Sequence, residues 1–161
     1  MNVPWYPCWA ISWRNPDTSP PLIDTLLEHR PDDRWAIAPN EVIRSEQHVW
    51  SCWLKTVDDE MSGLQIARSI DVSMLCALHG TRRISDALAA SSITPQIDTV
   101  AWLLHLPVAS SSLIDGEWHL SELPFPEHTQ ELEQVAWRII EALEAFVIPT
   151  RPGGVRDNHV S

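Results

Sequence analysis

The chain lacks the patterns that mark a membrane-anchored or disulfide-stapled protein. No run approaches the roughly 18 apolar residues that a membrane-spanning helix needs. The opening stretch MNVPWYPCWAISWRNPD has no basic region of the kind that begins a signal peptide. The only cysteines are Cys8, Cys52 and Cys76, which are odd in number, widely spaced and without a CxxC pair. We therefore expect reduced thiols and a cytoplasmic protein.

Positive charge is also scarce. Lys and Arg total 11 against 22 Asp and Glu, and the formal net charge is −11, with Lys55 the single lysine. This balance excludes a broadly basic nucleic-acid surface and a polybasic membrane patch, although a small local site remains open. The 161 residues are 44% hydrophobic, which is typical of one folded domain. We predict a single domain over residues 1–149 and a flexible tail over residues 150–161.

Motifs for catalysis and metal binding are missing. The chain contains no GxSxG, P-loop, GxGxxG or HExxH motif. Its seven histidines have no recurrent metal-ligand spacing, and the acidic pairs Asp32-Asp33 and Asp58-Asp59 are typical of solvated loops. The sequence therefore predicts no enzyme, no cofactor and no metal site. A small enzyme with an unrecognised site stays open as an alternative.

Hydrophobic periodicity predicts alternating short strands and helices. Strands are expected at Trp5–Trp13, with Pro7 indicating a sheet edge, and at Trp35–Ala38 and Thr99–Leu106. The expected helices are Pro21–His29, a long helix capped at Asn40 and continuing through Val57, Ser69–Leu78, a short helix with Ile84, Ala87 and Leu88 on one face, and a last helix capped at Thr129 whose apolar stripe reaches Val147. A weak strand is expected near Trp118–Leu120.

This order of elements predicts a mixed α/β domain of the α+β class. It consists of a small sheet of about three or four strands with helices packed on it. A doubly wound parallel sheet is the weaker alternative, because the helix Ser69–Leu78 and the short helix that contains Ile84 follow one another without a strand between them.

One short segment concentrates positive charge in this acidic chain. The sequence runs His79-Gly80-Thr81-Arg82-Arg83-Ile84, between two apolar helices. The glycine allows a sharp turn or a close approach to a ligand, and free N–H groups at the start of the following helix favour an anion. Two readings stay open: a small site for phosphate or an RNA end, or arginines that merely solubilise the turn or pair with Asp86.

Three ordered blocks between Trp35 and Leu106 carry a family resemblance. They are NEVIRSEQHV from Asn40, IDVSMLCALHGTRRISDAL from Ile70, and the apolar strand Val100–Leu106. Together they resemble the small kinase-binding accessory subunit of the KEOPS complex, the TPRKB family, in its archaeal type. The family's hallmark turn reads Ser-Gly-Gln-Arg-Gln-Ile. This chain departs from it at His79, Thr81 and Arg83.

The resemblance implies a non-catalytic regulatory subunit of the tRNA threonylcarbamoyladenosine-modifying machine. Such subunits bind the kinase-like ATPase subunit, and archaeal members also bind the single-stranded CCA end of tRNA. Other KEOPS subunits would then be indirect partners. The implied RNA-binding residues are Gly80, Thr81, Arg82, Arg83, Ile84 and His48. The alternative on the same fold is an acidic protein-interaction adapter without RNA binding.

Overall fold

Four apolar segments of the chain pair into one antiparallel sheet. In the computed structural model, which describes residues 7–17, 21–106 and 130–148, the strands lie in the order β2-β3-β1-β4. Their bounds are β1 (Cys8–Trp13), β2 (Trp35–Pro39), β3 (Ala101–His105) and β4 (Ala145–Val147). All three strand pairings are antiparallel, which confirms the predicted α+β class over the doubly wound alternative.

Helices cover both faces of this sheet. In the described residues they are α1 (Leu22–His29), α2 (Glu46–Met61), α3 (Ile70–His79), α4 (Ile84–Ala90) and α5 (Gln130–Ala142), and a 3₁₀ turn spans Asn40–Val42. One core lies between the sheet and α2, α3 and α4, and a second lies between the sheet and α1 and α5. Successive strand residues alternate between the two cores because side chains alternate across a strand.

Buried tryptophans tie the helices and loops to the sheet. Trp53 and Trp102 are both fully buried, so each indole N–H needs a partner. The indole of Trp53 donates to the carbonyl of His105 at 2.9 Å, and that of Trp102 donates to Oδ1 of Asn40 at 2.9 Å. The first bond fixes α2 against the end of β3, and the second fixes the chain just after β2.

The predicted start of the long helix is wrong. Asn40 opens a short 3₁₀ turn, and α2 begins six residues later, where Oγ of Ser45 accepts from the backbone N–H of His48 at 3.1 Å. Asn40 does not act as the cap because its side chain accepts the hydrogen bond from Trp102. Ser45 therefore provides the N-cap that the sequence pattern placed at Asn40.

The first strand is not at a sheet edge, as Pro7 had suggested. Strand β1 lies in the interior, paired with β3 on one side and β4 on the other. Pro7 lies just before the strand, opposite His105, where a residue with an N–H would donate to the His105 carbonyl. The Trp53 indole donates to that carbonyl instead, which compensates for the missing N–H of Pro7. The carbonyl of Pro7 still accepts from the N–H of His105 at 3.0 Å.

The C-terminal apolar stripe is divided between two elements. The helix α5 ends at Ala142, the chain turns through Glu144 at φ 55°, and β4 follows. The prediction of one helix reaching Val147 is therefore wrong. Trp5, the strand near Trp118–Leu120, the cap at Thr129 and the tail 150–161 lie outside the described residues.

No helix in the described part of the chain is long and apolar enough to cross a bilayer. All three cysteines are free, with Cys8 and Cys76 buried and Cys52 half-buried. Reduced thiols agree with the expectation from cysteine number and spacing.

Candidate nucleic-acid interface

The basic segment follows a sharp turn at the end of α3. Gly80 adopts the left-handed conformation at φ 64° and ψ 32°. Its N–H donates to the carbonyl of Ala77 at 3.2 Å, and the N–H of Thr81 donates to the carbonyl of Cys76 at 3.1 Å. This Schellman arrangement satisfies the last carbonyls of the helix. A Cβ at Gly80 would meet nothing within 4 Å, so glycine is needed for its backbone angles and not for space.

The two arginines of the turn point into solvent without a carboxylate partner. Arg82 and Arg83 are both exposed, and neither forms an ion pair with Asp86 or any other residue that the structure describes. The reading in which they pair with Asp86 is therefore wrong. The backbone N–H of Arg83 donates to Oγ1 of Thr81 at 3.1 Å, which holds the turn in shape.

The helix after the turn contributes little to anion attraction. Helix α4 has only seven residues and carries Asp86 in its first turn, so its dipole is weak and partly opposed. The predicted apolar face is also only partly buried: Ala87 packs in the core, whereas Ile84 and Leu88 are 40% and 47% exposed. Positive potential at the turn therefore comes from the two guanidinium groups, and the exposed side chain of Ile84 offers apolar contact next to Arg83.

His48 lies beside the same turn although it belongs to α2. Its Nδ1 accepts from the backbone N–H of Arg44 at 3.3 Å. Burial lowers the pKa of His48, with a further lowering from Arg44 and His79, and the nearby backbone carbonyl of Leu78 opposes these effects. The structure thus places His48 near Leu78 and His79, at the end of α3. The role of His48 in RNA binding, which the resemblance implies, stays a prediction.

His79 is a neighbour of the turn that sequence reasoning did not include among the site residues. Its Nε2 lies 3.0 Å from Oγ of Ser91, so it joins the end of α3 to the end of α4. Burial lowers the pKa of His79, and the carboxylate of Glu41 partly offsets this. No local sequence signal could have shown this group, because Glu41 and Ser91 approach His79 only in the folded chain.

The lowered pKa values decide the charge of the site. Burial lowers the pKa of both His48 and His79, which favours the neutral form of each imidazole. The fixed positive charges of the turn are then those of Arg82 and Arg83. Such a site suits two phosphates of a flexible strand better than a whole duplex, because two cations give little long-range attraction in an acidic protein.

The pair of Ser91 and His79 has the composition of a nucleophile and base, but its setting opposes catalysis. Ser91 follows the last residue of α4, so the negative end of that helix faces the hydroxyl and disfavours an oxyanion. No carboxylate in the described residues accepts a hydrogen bond from His79. The pair is better explained as a clamp between two helix ends.

Metal chemistry has no support in the residues that the structure describes. They contain no group of three or more His, Cys, Asp or Glu side chains positioned to hold an ion. His48 and His79 are close neighbours but lack a third ligand there.

No protein-family model, curated protein or solved structure matches the chain. The interpretation of the turn therefore rests on its geometry and on the sequence resemblance.

Proposed function

We propose that the chain is a non-catalytic binding subunit that holds the single-stranded CCA end of tRNA at the turn formed by Gly80, Thr81, Arg82, Arg83 and Ile84. The wider proposal is that it serves as the regulatory subunit of a KEOPS-type complex in the cytoplasm, bound to the kinase-like ATPase subunit. The RNA part is supported by the geometry of the turn. The partner subunit is supported by the sequence resemblance alone.

The observation that carries the RNA proposal is the convergence at the end of α3. A left-handed glycine presents two exposed arginines without carboxylate partners, and His48 on α2 lies near Leu78 and His79, immediately before this turn. Guanidinium groups bind phosphate oxygens through two N–H donors at once and also stack on bases. Exposed Ile84 lies directly beside them as an apolar surface for a base.

The expected affinity is modest and restricted to unpaired RNA. Two phosphate contacts to a single strand predict a slope of about −1.4 for the logarithm of affinity against the logarithm of salt concentration. Stacking adds on the order of 1–3 kcal/mol per base. A net charge of −11 repels the body of the tRNA, so recognition should be confined to its tail.

A binding assay with two RNAs tests the proposal. Intact tRNA and tRNA without its CCA end are titrated with the wild-type chain and with the double variant Arg82→Glu, Arg83→Glu. A matched control is Arg14→Glu, Arg138→Glu, which makes the same change in charge at two exposed arginines without ion pairs in the described structure.

We expect binding to require both the CCA end and the turn arginines, and to survive in the control variant. Equal loss of binding in both double variants would show a nonspecific charge effect and contradict the proposed site. Absence of binding to any tRNA would remove the RNA function and favour the adapter alternative. Copurification with a kinase-like ATPase subunit tests the partner separately, and failure of that association would remove the KEOPS assignment.

A further inference from the structure

A cavity of about 460 Å³ opens where the two cores meet beyond the edge of the sheet. Its walls come from α1, β2, α3 and the end of α4, and none of the described residues that line it is charged. The lining residues include Leu22, Ile23, Ile37, Leu75, Ser91 and Ser92. A volume of this size is in the range of pockets that hold small molecules. The arginines of the basic turn are not part of this wall.

Within the described part of the sheet β2 is an edge strand, and its register decides which backbone groups face the cavity. The N–H of Leu106 donates to the carbonyl of Arg34 at 2.8 Å, and the N–H of Asn40 donates to the carbonyl of Val100 at 3.2 Å. Antiparallel pairs alternate between bonded and non-bonded positions. Ile37, opposite Leu103, therefore occupies a non-bonded position, and its N–H and carbonyl point away from the sheet.

These two outward-facing backbone groups of Ile37 have no hydrogen-bond partner in the described residues. Ile37 as a whole is only 5% exposed, and it is one of the residues that line the cavity. No hydrogen bond to its N–H or carbonyl is formed by any other part of the described chain, in loops or from side chains. Buried backbone donors and acceptors are nearly always paired in proteins. A donor and an acceptor side by side at a cavity wall therefore indicate a place for a ligand.

The neighbouring edge position shows how the chain satisfies such groups elsewhere. The carbonyl of Trp35 also faces outward, and Nη1 of Arg30 donates to it at 3.1 Å. The same Nη1 is 2.7 Å from Oδ2 of Asp71 on α3, so this ion pair crosses the sheet edge. The Arg30–Asp71 pair covers the outer edge of β2 and blocks the pairing of a further long strand there, which is a common way to protect edge strands. The occupant at Ile37 must accordingly be short.

We propose that the cavity binds a small neutral molecule that carries a hydrogen-bond acceptor next to a donor on a flat edge. The acceptor pairs with the N–H of Ile37, the donor pairs with its carbonyl, and the apolar body of the molecule lies against Leu22, Leu75 and Leu88. Primary carboxamides and the amino edge of adenine share this chemistry. The described wall residues are apolar or are serines, and such a lining favours a neutral ligand over an ionic one.

Two probes and their methylated controls test this site in the intact chain. Benzamide represents the carboxamides and adenosine represents the nucleobases. N,N-dimethylbenzamide and N6,N6-dimethyladenosine keep the ring but lose the donor. Each compound is titrated into isotopically labelled protein while the backbone amide signal of Ile37 is followed by NMR.

We expect at least one unmethylated probe to move the Ile37 amide proton downfield in a saturable manner, and its dimethyl control to bind at least tenfold more weakly. The probe that binds identifies the source of the ligand. No saturable change at Ile37 with either probe, or equal binding of probe and control, would overturn the proposal.

Variants separate the cavity from the basic turn. Leu88→Trp, at the exposed rim, should weaken binding of the probe at least tenfold, whereas Leu64→Trp changes a residue 66% exposed outside the cavity wall and should not. The variant Arg82→Glu, Arg83→Glu should keep the probe site even if it loses RNA. Loss of the probe site in that variant, or unchanged binding in Leu88→Trp, would contradict the assignment to this cavity.

Discussion

Protonation of His105 should weaken the fold at mildly acidic pH. The imidazole lies at the end of β3 against the ring of Trp35, with centroids 4.6 Å apart, and its Nδ1 is buried without a hydrogen-bond partner in the described residues. Burial lowers the pKa of His105 to about 4, with Asp32 raising it and Arg34 lowering it to smaller extents. The folded chain therefore holds this ring neutral at pH 7.

The direction of the pH effect follows from the two pKa values. The pKa of His105 is about 4 in the folded chain and close to the ordinary 6.5 in the unfolded chain, so between these values the unfolded chain binds more protons. The contribution of neutral His105 to the free energy of unfolding is therefore fully present above about pH 6.5 and is lost as the pH falls toward 4. The difference between the two pKa values corresponds to about 3 kcal/mol in the free energy of unfolding when the titration is complete. About 2 kcal/mol of this is lost between pH 7.5 and pH 5.

Urea unfolding at two pH values measures this loss. With a urea dependence of about 2 kcal/mol per molar, the wild-type midpoint should fall about 1 M further between pH 7.5 and pH 5 than the midpoint of His105→Phe. Phenylalanine keeps a ring against Trp35 but cannot take up a proton. The other histidines and the carboxylates titrate in both proteins, so they cancel in the comparison. Equal losses in the two proteins would refute the reasoning.

Three further changes test local features of the fold by thermal or urea unfolding. Gly80→Ala should cost about 1 kcal/mol from the left-handed backbone alone, and a loss several times larger would show an unexpected clash. Ser45→Ala should cost about 1 kcal/mol through the lost N-cap, whereas Ser69→Ala, which precedes α3 but forms no side-chain cap bond, should change stability by less than about 0.5 kcal/mol; equal costs would contradict the assigned cap. Trp102→Phe should cost about 3 kcal/mol, because it leaves Oδ1 of Asn40 unpaired and creates a cavity, and a change below about 1 kcal/mol would show that the indole bond contributes little.

The proposed RNA site and the proposed cavity occupy different parts of the same short helix. The basic turn precedes α4, whereas Ser91 and Ser92 follow it and line the cavity. Their tests are therefore independent: charge reversal at Arg82 and Arg83 addresses the first, and Leu88→Trp addresses the second. A negative result at one site therefore does not contradict the proposal for the other.

The sequence alone determined the elements whose signals are local. Periodic apolar residues predicted α1 and α3 to within a residue or two, and apolar runs predicted β2 and the centre of β3. Gly80 marked the end of α3 for a reason that is intrinsic to the residue, since it readily adopts positive φ. These features depend on neighbours within one or two turns of chain, so they could be recognised without knowing the fold.

Only the tertiary structure decided the features that depend on distant partners. The side chain of Asn40 accepts a hydrogen bond from Trp102 and does not cap a helix. The strand β4 has only three residues, which are too few to give a periodic signal. Helix packing brings Glu41 and Ser91 next to His79. Strand order places Ile37 at the edge of the described sheet, where its backbone N–H and carbonyl face away from β3. Strand order and pairing across long sequence separations set which groups are exposed, because a residue's own chemistry does not specify what will lie beside it.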